Sequence, residues 1–285
     1  MEAVRKALWF IEAHFASELT LQEVAECAEV SRFYLLRAFG AATGMSIMQY
    51  VRARRLSQAA TQLAEGSQDI LTVALNAGYN SHEAFTRAFR DLFAVTPESI
   101  RRQQSVAPLN LIEARTMSTE PVRKLDPPRI EMRDPLLIAG LSEHYKCEQG
   151  PAGIPGQWQR FVSFLGRIPD QKGDDTFGVV YNADDEGNMD YLCGVEVRRL
   201  SELPQGLNSL RLPARRYAIF FHPDHVASIR ASWNYIWNVW LPQSKLELAE
   251  APVIEHYDQR FNPRSGAGGV ELWVPLKDAS HASER

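Results

Sequence analysis

Cysteine is scarce in this chain of 285 residues, and the three present (Cys27, Cys147, Cys193) are widely separated and never spaced as C-x-x-C. That pattern indicates neither a disulfide framework nor a zinc site. Long apolar runs are lacking as well, and none approaches the ~18 residues of a membrane span. The first residues carry Glu2 and Glu12 and show no signal-peptide pattern, so a cytoplasmic protein without membrane attachment is expected. Metal-ligand spacing is missing too. His222 and His225 flank Pro223-Asp224 as in a turn, with no third ligand nearby. Asp184-Asp185-Glu186-Gly187-Asn188 sets acids in a row without the alternation of a calcium loop, as in a solvated hairpin turn. No Ser-His-Asp arrangement stands out. The expectation is a protein with no metal, no cofactor and no catalytic residues, hence not an enzyme.

A basic excess is also lacking. The net charge of −4 argues at first against nucleic acid. Distribution changes that argument. Glu2, Glu12, Glu18, Glu23, Glu26 and Glu29 crowd the first segment, whereas Val30 to Ala64 holds Arg32, Arg37, Arg52, Arg54 and Arg55 and no acid. Such segregation suits one basic face turned to phosphates, although single arginines of this kind often only solvate a helix.

What is present is a pattern that occurs twice. Leu21 to Phe39 reads LQEVAECAEVSRFYLLRAF, and Asp69 to Phe89 reads DILTVALNAGYNSHEAFTRAF. Each predicts a short amphipathic helix with an inward small residue (Ala25, Ala74), a tight turn, and a second helix with a serine (Ser31, Ser81) at its N-cap. These are two helix-turn-helix units. With Leu35 and Phe39 buried, Arg32, Phe33, Leu36 and Arg37 remain on the first of the second helices. With Phe85, Ala88 and Phe89 packed inward, His82, Glu83, Thr86 and Arg87 remain on the other. Such helices can enter the major groove of double-stranded DNA, and one chain could reach two groove faces ~34 Å apart.

Around these units the 3–4 spacing of Val4, Ala7, Leu8, Ile11 and Phe15 predicts a leading helix. Thr20 and Glu23 form a capping box. Met45 to Ala64 reads as one long spacer helix stopped by Gly66, and Pro97 opens a short last helix. The run Gly78 to Pro97, GYNSHEAFTRAFRDLFAVTP, together with Arg54-Arg55-Leu56 and Ala59, resembles the signature of the AraC/XylS family of transcription regulators. Two positions depart from it: Ala94 stands where glycine is usual, and Ile100 where tyrosine or phenylalanine is common. Ala94 makes a positive φ at that turn less expected. The resemblance implies base contacts from Phe33 and Arg37 and from His82, Glu83 and Arg87, with Thr86 nearer the backbone. It also makes RNA polymerase a candidate partner.

After Gln104 the composition changes. Residues 106–128 read as a proline-bearing linker (Pro108, Pro121, Pro127, Pro128) between a domain over 1–105 and another over 129–278. The second region repeats an order of elements: Ile130–Leu141, Gln157–Leu165, Phe177–Asn182, Met189–Arg198, then Leu210–His222, Val226–Trp240, Pro252–Phe261, Gly269–Leu276. The expected fold has two domains. The N-terminal one is an all-α tandem helix-turn-helix, and the C-terminal one is an α+β antiparallel sheet with a pseudo-two-fold β-α-β-β repeat and a cleft along the axis. Residues Arg129 to Lys277, with VIEHY at Val253–Tyr257 and VELWVP at Val270–Pro275, resemble the GyrI-like effector-binding domain.

That second resemblance implies a small-molecule effector held by a cleft carboxylate and aromatics, and so a sensor of cationic or amphipathic compounds of the multidrug type. A desolvated carboxylate supplies Coulomb attraction, and ring faces supply cation–π attraction. Glu255 fits the acidic position, with Glu271 on the adjacent strand. Tyr257, Trp273, Trp158, Phe161, Tyr181, Tyr191 and Trp237 are the aromatics within reach. Either carboxylate could instead be solvated or serve an arginine. Trp233, Ile236, Trp237 and Trp240 share one helical stripe, which predicts core first and pocket second. Two rivals stand beside the sensor: a GyrI-like hydrolase whose glutamate activates water, and a module that sequesters a protein.

Overall fold

A computed structural model describes residues 1–66, 68–107, 109–115, 124–146, 153–184 and 186–278. Cys147, Asp185, Pro108 and Pro121 lie outside the described residues. The chain divides into two compact units, one of Met1–Gly40 and Met45–Thr119, the other of Glu120–Arg285 with the short segment Ala41–Gly44.

The first unit is helical: α1 (Glu2–His14), α2 (Leu21–Cys27), α3 (Arg32–Thr43), α4 (Ile47–Glu65), α5 (Ile70–Asn76), α6 (His82–Phe93) and α7 (Pro97–Gln103). Side chains set the starts. Thr20 and Glu23 close a capping box on α2, Ser46 and Gln49 another on α4, and Asp69, Ser81 and Thr96 cap α5, α6 and α7. Gly66 ends α4 with φ 72°. Ala94 ends α6 with φ 58°, so the turn keeps its left-handed geometry although the residue carries a Cβ. That corrects the expectation above. The hydrogen bond from Ala94 N–H to the Arg90 carbonyl and the packing of Phe93 and Val95 on the core hold the chain there against the strain.

One core surrounds the second half of α4: Leu56, Ala60 and Leu63 meet Val73, Ala74, Phe85, Phe89 and Ile100. Burying a side chain of this size contributes about 1.5–3 kcal/mol. Arg54 and Arg55, expected on a basic face, do other work. Arg54 forms a two-pronged pair with Glu12 of α1, and Tyr50 donates to the same carboxylate at 2.5 Å. Arg55 donates to the carbonyls of Phe15 and Ser17. The guanidiniums therefore tie the spacer helix to α1 and to the turn that follows it.

Part of the expected linker is tied down as well. Val106, Leu109 and Leu111 pack on the α4–α6 core. The Ile112 N–H donates to Ser57 Oγ (2.9 Å), its carbonyl accepts from Arg54, and the Arg115 N–H donates to the Tyr50 hydroxyl.

The second unit is an antiparallel sheet of β1 (Arg129–Arg133), β2 (Leu136–Tyr145), β3 (Gln171–Tyr181), β4 (Met189–Val197), β5 (Asn208–Leu212), β6 (Arg215–His222), β7 (Val253–Tyr257) and β8 (Val270–Leu276). The helices are α8 (Ile154–Phe161), α9 (Ile229–Tyr235), a π-helical turn over Ile236–Trp240, and α10 (Leu241–Ser244). The strand order is β1-β6-β8-β7-β3-β4-β2-β5. Each long first strand expected from the sequence is broken in two, at Asp134-Pro135 and Pro213-Ala214, because proline cannot donate to a ladder.

Those breaks shape the sheet. β1 and β2 lie six strand positions apart, about 29 Å on a flat sheet. Yet the step from Arg133 to Leu136 spans at most ~11 Å. The sheet must curl until its ends approach. The same holds for β5 and β6. Packing agrees: Leu212 of β5 shares one cluster with Tyr217 and Ile219 of β6, Trp273, Phe177 and Ile138. That set is the inner face. The outer face carries Tyr191, Cys193 and Val195 under Phe161 of α8, and Phe220 under Trp240.

Candidate functional site

In the helical unit the two serines serve as caps, since Tyr34 N–H donates to Ser31 Oγ (3.2 Å) and Ala84 N–H to Ser81 Oγ (3.1 Å). Their hydroxyls start the helices and thereby fix which side chains project. On α6, Phe85 and Phe89 are buried, Glu83 and Arg87 are exposed, and Thr86 is half-buried. His82 lies 3.0 Å from Glu98 at the start of α7. On α3, Leu35, Ala38 and Phe39 are buried, Arg32 is exposed, and Phe33 and Leu36 are half-buried. Arg37 differs from Arg87. Its guanidinium lies over the Phe33 ring at 4.4 Å, and burial brings its pKa down to about 10. The α6 arginine is the more exposed of the two.

In the sheet unit, Glu255 projects from the centre of β7 toward the helices on the outer face. Gln157, fully buried on α8, holds that helix down: its amide donates to the carbonyls of Leu141 and Tyr191 and accepts from Tyr145. This places Trp158, whose Nε1 donates to the Tyr191 hydroxyl at 3.1 Å. Tyr191 in turn donates to Glu255 Oε2 at 2.9 Å, Tyr257 to the same oxygen at 3.0 Å, and Trp233 Nε1 to Oε1 at 3.3 Å. Trp158 meets Tyr257 edge-on at 5.1 Å, and Trp233 stacks on Trp237 at 5.6 Å with planes 8° apart. Phe161 lies 5.9 Å from Trp158.

All three donors to Glu255 are neutral. No guanidinium, ammonium or imidazole meets its carboxylate among the described residues. Burial raises the pKa of Glu255, and the three hydrogen bonds offset that only in part. Burial and the neighbouring carboxylate push Tyr191 and Tyr257 well above the usual phenol range. The result is a partly buried carboxyl group with aromatic walls and, among the described residues, no cationic partner.

Of the expected ligand residues, the structure brings together Glu255, Tyr257, Tyr191, Trp158, Phe161 and Trp237. It separates Glu271, Trp273 and Tyr181. In the β7–β8 ladder Glu255 is partnered with Leu272, and His256 with Glu271, so the two carboxylates leave opposite faces of the sheet. Tyr181 shares the inner face and bonds Ser142 at 2.7 Å. The one-cleft expectation for Glu271, Trp273 and Tyr181 is thus corrected by strand alternation. Glu271 is also saturated: Arg129, His256, Trp273 and Arg260 all donate to it. Burial would raise its pKa, but bonds from His256, Arg129 and Trp273 outweigh that and hold it well below the carboxylate range. His256, Asp258 and Glu271 bring ligand-type atoms within 4.8 Å of one another. Two guanidiniums already serve those acids, so the group is an ion-pair network. His222 is likewise engaged, by Ser232 and the His225 carbonyl.

Sequence reasoning missed Trp233 and Gly178. Trp233 stood in the stripe assigned to the core, and its indole N–H, the part that reaches the carboxylate, leaves no periodic trace.

Residues 126–277 match the family described as the GyrI-like small molecule binding domain, and residues 24–103 match a helix-turn-helix domain family. The right origin-binding protein of Escherichia coli (strain K12) is 36% identical over 291 residues, covering 96% of this chain and 98% of that protein. The transcriptional regulator Rob of Salmonella typhimurium is 25% identical over 282 residues, covering 94% of each. Among solved structures, SAV2435 bound to tetraphenylphosphonium aligns with 20% identity and a TM-score of 0.46, over 55% of this chain and 97% of that one.

Proposed function

The chain belongs to the GyrI-like small-molecule-binding family, joined to an AraC-type helix-turn-helix region, and from that premise we propose that it regulates transcription in response to a lipophilic organic cation. DNA binding rests on α3 and α6, with Arg87, Glu83 and His82 on the exposed face of α6 and Arg32 and Phe33 on α3. A regulator of this kind acts with RNA polymerase, and run-off transcription from the bound promoter, with and without the cation, gives the sign of its effect.

The observation that carries the effector reading is the Glu255 carboxylate. It is partly buried, bonded by three neutral donors, and flanked by Trp158, Tyr257 and the Trp233–Trp237 stack. An ionised carboxylate so placed gains most from a cation that brings its own apolar surface. A hydrated metal ion would bring water instead.

Tetraphenylphosphonium and tetraphenylborate have the same shape and opposite charge, so titrating both against tryptophan fluorescence tests the reading. The cation should quench saturably and the anion should not. Equal binding of both, or cation binding that survives Glu255→Gln, defeats the proposal. Hydrolysis of an ester by the wild type that is lost in Glu255→Gln would instead support the enzyme reading.

A further inference from the structure

The inner face of the curled sheet carries a second charged feature that the Glu255 site does not use. Arg133 ends β1, Arg215 begins β6, and the two are directly opposed in the ladder. Their side chains therefore leave the same face about 5 Å apart at the backbone, where like charges repel. The inner face is the correct one, because Tyr217, two residues on from Arg215, lies in the inner cluster.

Both Nε atoms are shielded from solvent, and neither has a hydrogen-bond acceptor. The Arg133 guanidinium is placed by stacking over the Trp273 indole, 4.6 Å from its centroid. Its carboxylate neighbour, Glu131 Oε2, lies 3.5 Å from Nε as an ion pair without a hydrogen bond, and Glu131 Oε1 already accepts from Arg129. Arg215 has no carboxylate within ion-pair distance among the described residues. It is close enough for its charge to act on the Tyr217 phenol. Shielded donors in native proteins are nearly always paired, and a guanidinium Nε–H without an acceptor is a deficit.

Two guanidinium forks rooted at opposed positions on one face of the sheet suit an oxygen-bearing anion, which would accept a charge-assisted bond from each. We propose that Arg133 and Arg215 form an oxyanion receptor on the inner face of the sheet, taking the carboxylate or phosphate-type group of a ligand beside Tyr217 and Trp273. The domain would then hold two sites of opposite charge preference on the two faces of one sheet. This inference does not depend on the cation reading, since Glu255 points the other way.

The full-length chain in low-salt Tris, titrated calorimetrically with sodium benzoate and with inorganic phosphate against sodium chloride at matched ionic strength, tests it. One saturable site is expected. Saturation by benzoate alone identifies an organic carboxylate, saturation by phosphate alone an inorganic anion, and both support the receptor. Arg215→Gln and Arg133→Gln should each weaken binding at least about tenfold, while Glu255→Gln leaves it intact. Should a glutamine variant fail to fold, Arg215→Lys keeps the charge, removes the fork, and should still weaken binding. Heats no different from chloride in the wild type, or unchanged affinity in a folded Arg215 variant, overturn the proposal.

Discussion

Gly178 stands directly opposite Glu255 in the β3–β7 ladder, and a Cβ at that position would lie 2.0 Å from the Tyr191 hydroxyl and 3.0 Å from Glu255 Oε2. The missing side chain is what lets a tyrosine from the far side of β3 reach the carboxylate. Gly178→Ala should cost about 1–3 kcal/mol by overpacking and weaken cation binding as Tyr191 is displaced. Urea denaturation paired with a cation titration reads both, and an unchanged affinity would show that the Tyr191 bond is dispensable.

Glu255 trades stability for charge. Its pKa is raised in the folded chain, so the fold favours the neutral acid. The associated stability is present below the unfolded value near 4.5 and is lost as pH rises through the folded value. Glu255→Gln should therefore raise the melting temperature at pH 8 and make little difference at pH 4. Cation affinity should fall as the pH is lowered through the raised pKa. A variant melting below the wild type at pH 8 would contradict this account of burial.

Arg87 and Arg54 should fail in different ways when truncated. Arg87→Ala leaves the fold intact and loses sequence discrimination, by ~1–3 kcal/mol for a two-pronged base contact. Arg54→Ala strands the partly buried Glu12 carboxylate and should cost roughly 1–3 kcal/mol of stability. Anisotropy titrations on specific and scrambled duplexes, beside thermal melts, separate the two. Equal loss of stability in both variants would undo the assignment of roles.

Ala94→Gly should stabilise the helical unit by about 0.5–1 kcal/mol. The residue sits at φ 58°, where a Cβ costs ~1–2 kcal/mol and glycine returns part of that through its unfolded-state entropy. A lower denaturation midpoint in the glycine variant would mean that the neighbouring contacts matter more than the strain.

His256 and Glu271 should give the sheet unit a stability maximum in mild acid. The Glu271 contribution is present above the ordinary glutamate value of 4.5 and is lost as pH falls through its depressed pKa. Burial disfavours the charged form of His256, but bonds to Glu271 and Asp175 prevail and raise its pKa; that contribution is present below 6.5 and is lost as pH rises through the raised value. Melts of His256→Gln across pH 5–9 should show a shallower alkaline decline than the wild type. Parallel curves would place the pH dependence elsewhere.

The helical unit was legible because its information is local. Caps such as Ser81 and Asp69, and the Phe85–Phe89 stripe, act within one or two turns of the residues they organise. The curled sheet was less so. Alternation along Val253–Tyr257 and Val270–Pro275 is visible in sequence, but which residues of the two strands share a face depends on a register that only the folded ladder sets. That is why Glu271 and Trp273 were grouped with Glu255 and then parted from it. Arg54 and Arg55 misled for a related reason, since charge along a helix does not disclose that Glu12 or the Phe15 carbonyl waits at its end.

The short joints at Asp134-Pro135 and Pro213-Ala214 have a kinetic consequence. Each half of the sheet lends its opening strand to the other, β1 to β6 and β5 to β2. On the ribosome, residues 129–197 would emerge with one edge unpaired and wait for a partner made much later. High contact order of this kind slows closure, whereas the short-range helices can settle early. The DNA reader should thus be folded while the sensor is still open, and a nascent chain stalled before β6 is where proteases and chaperones would find purchase.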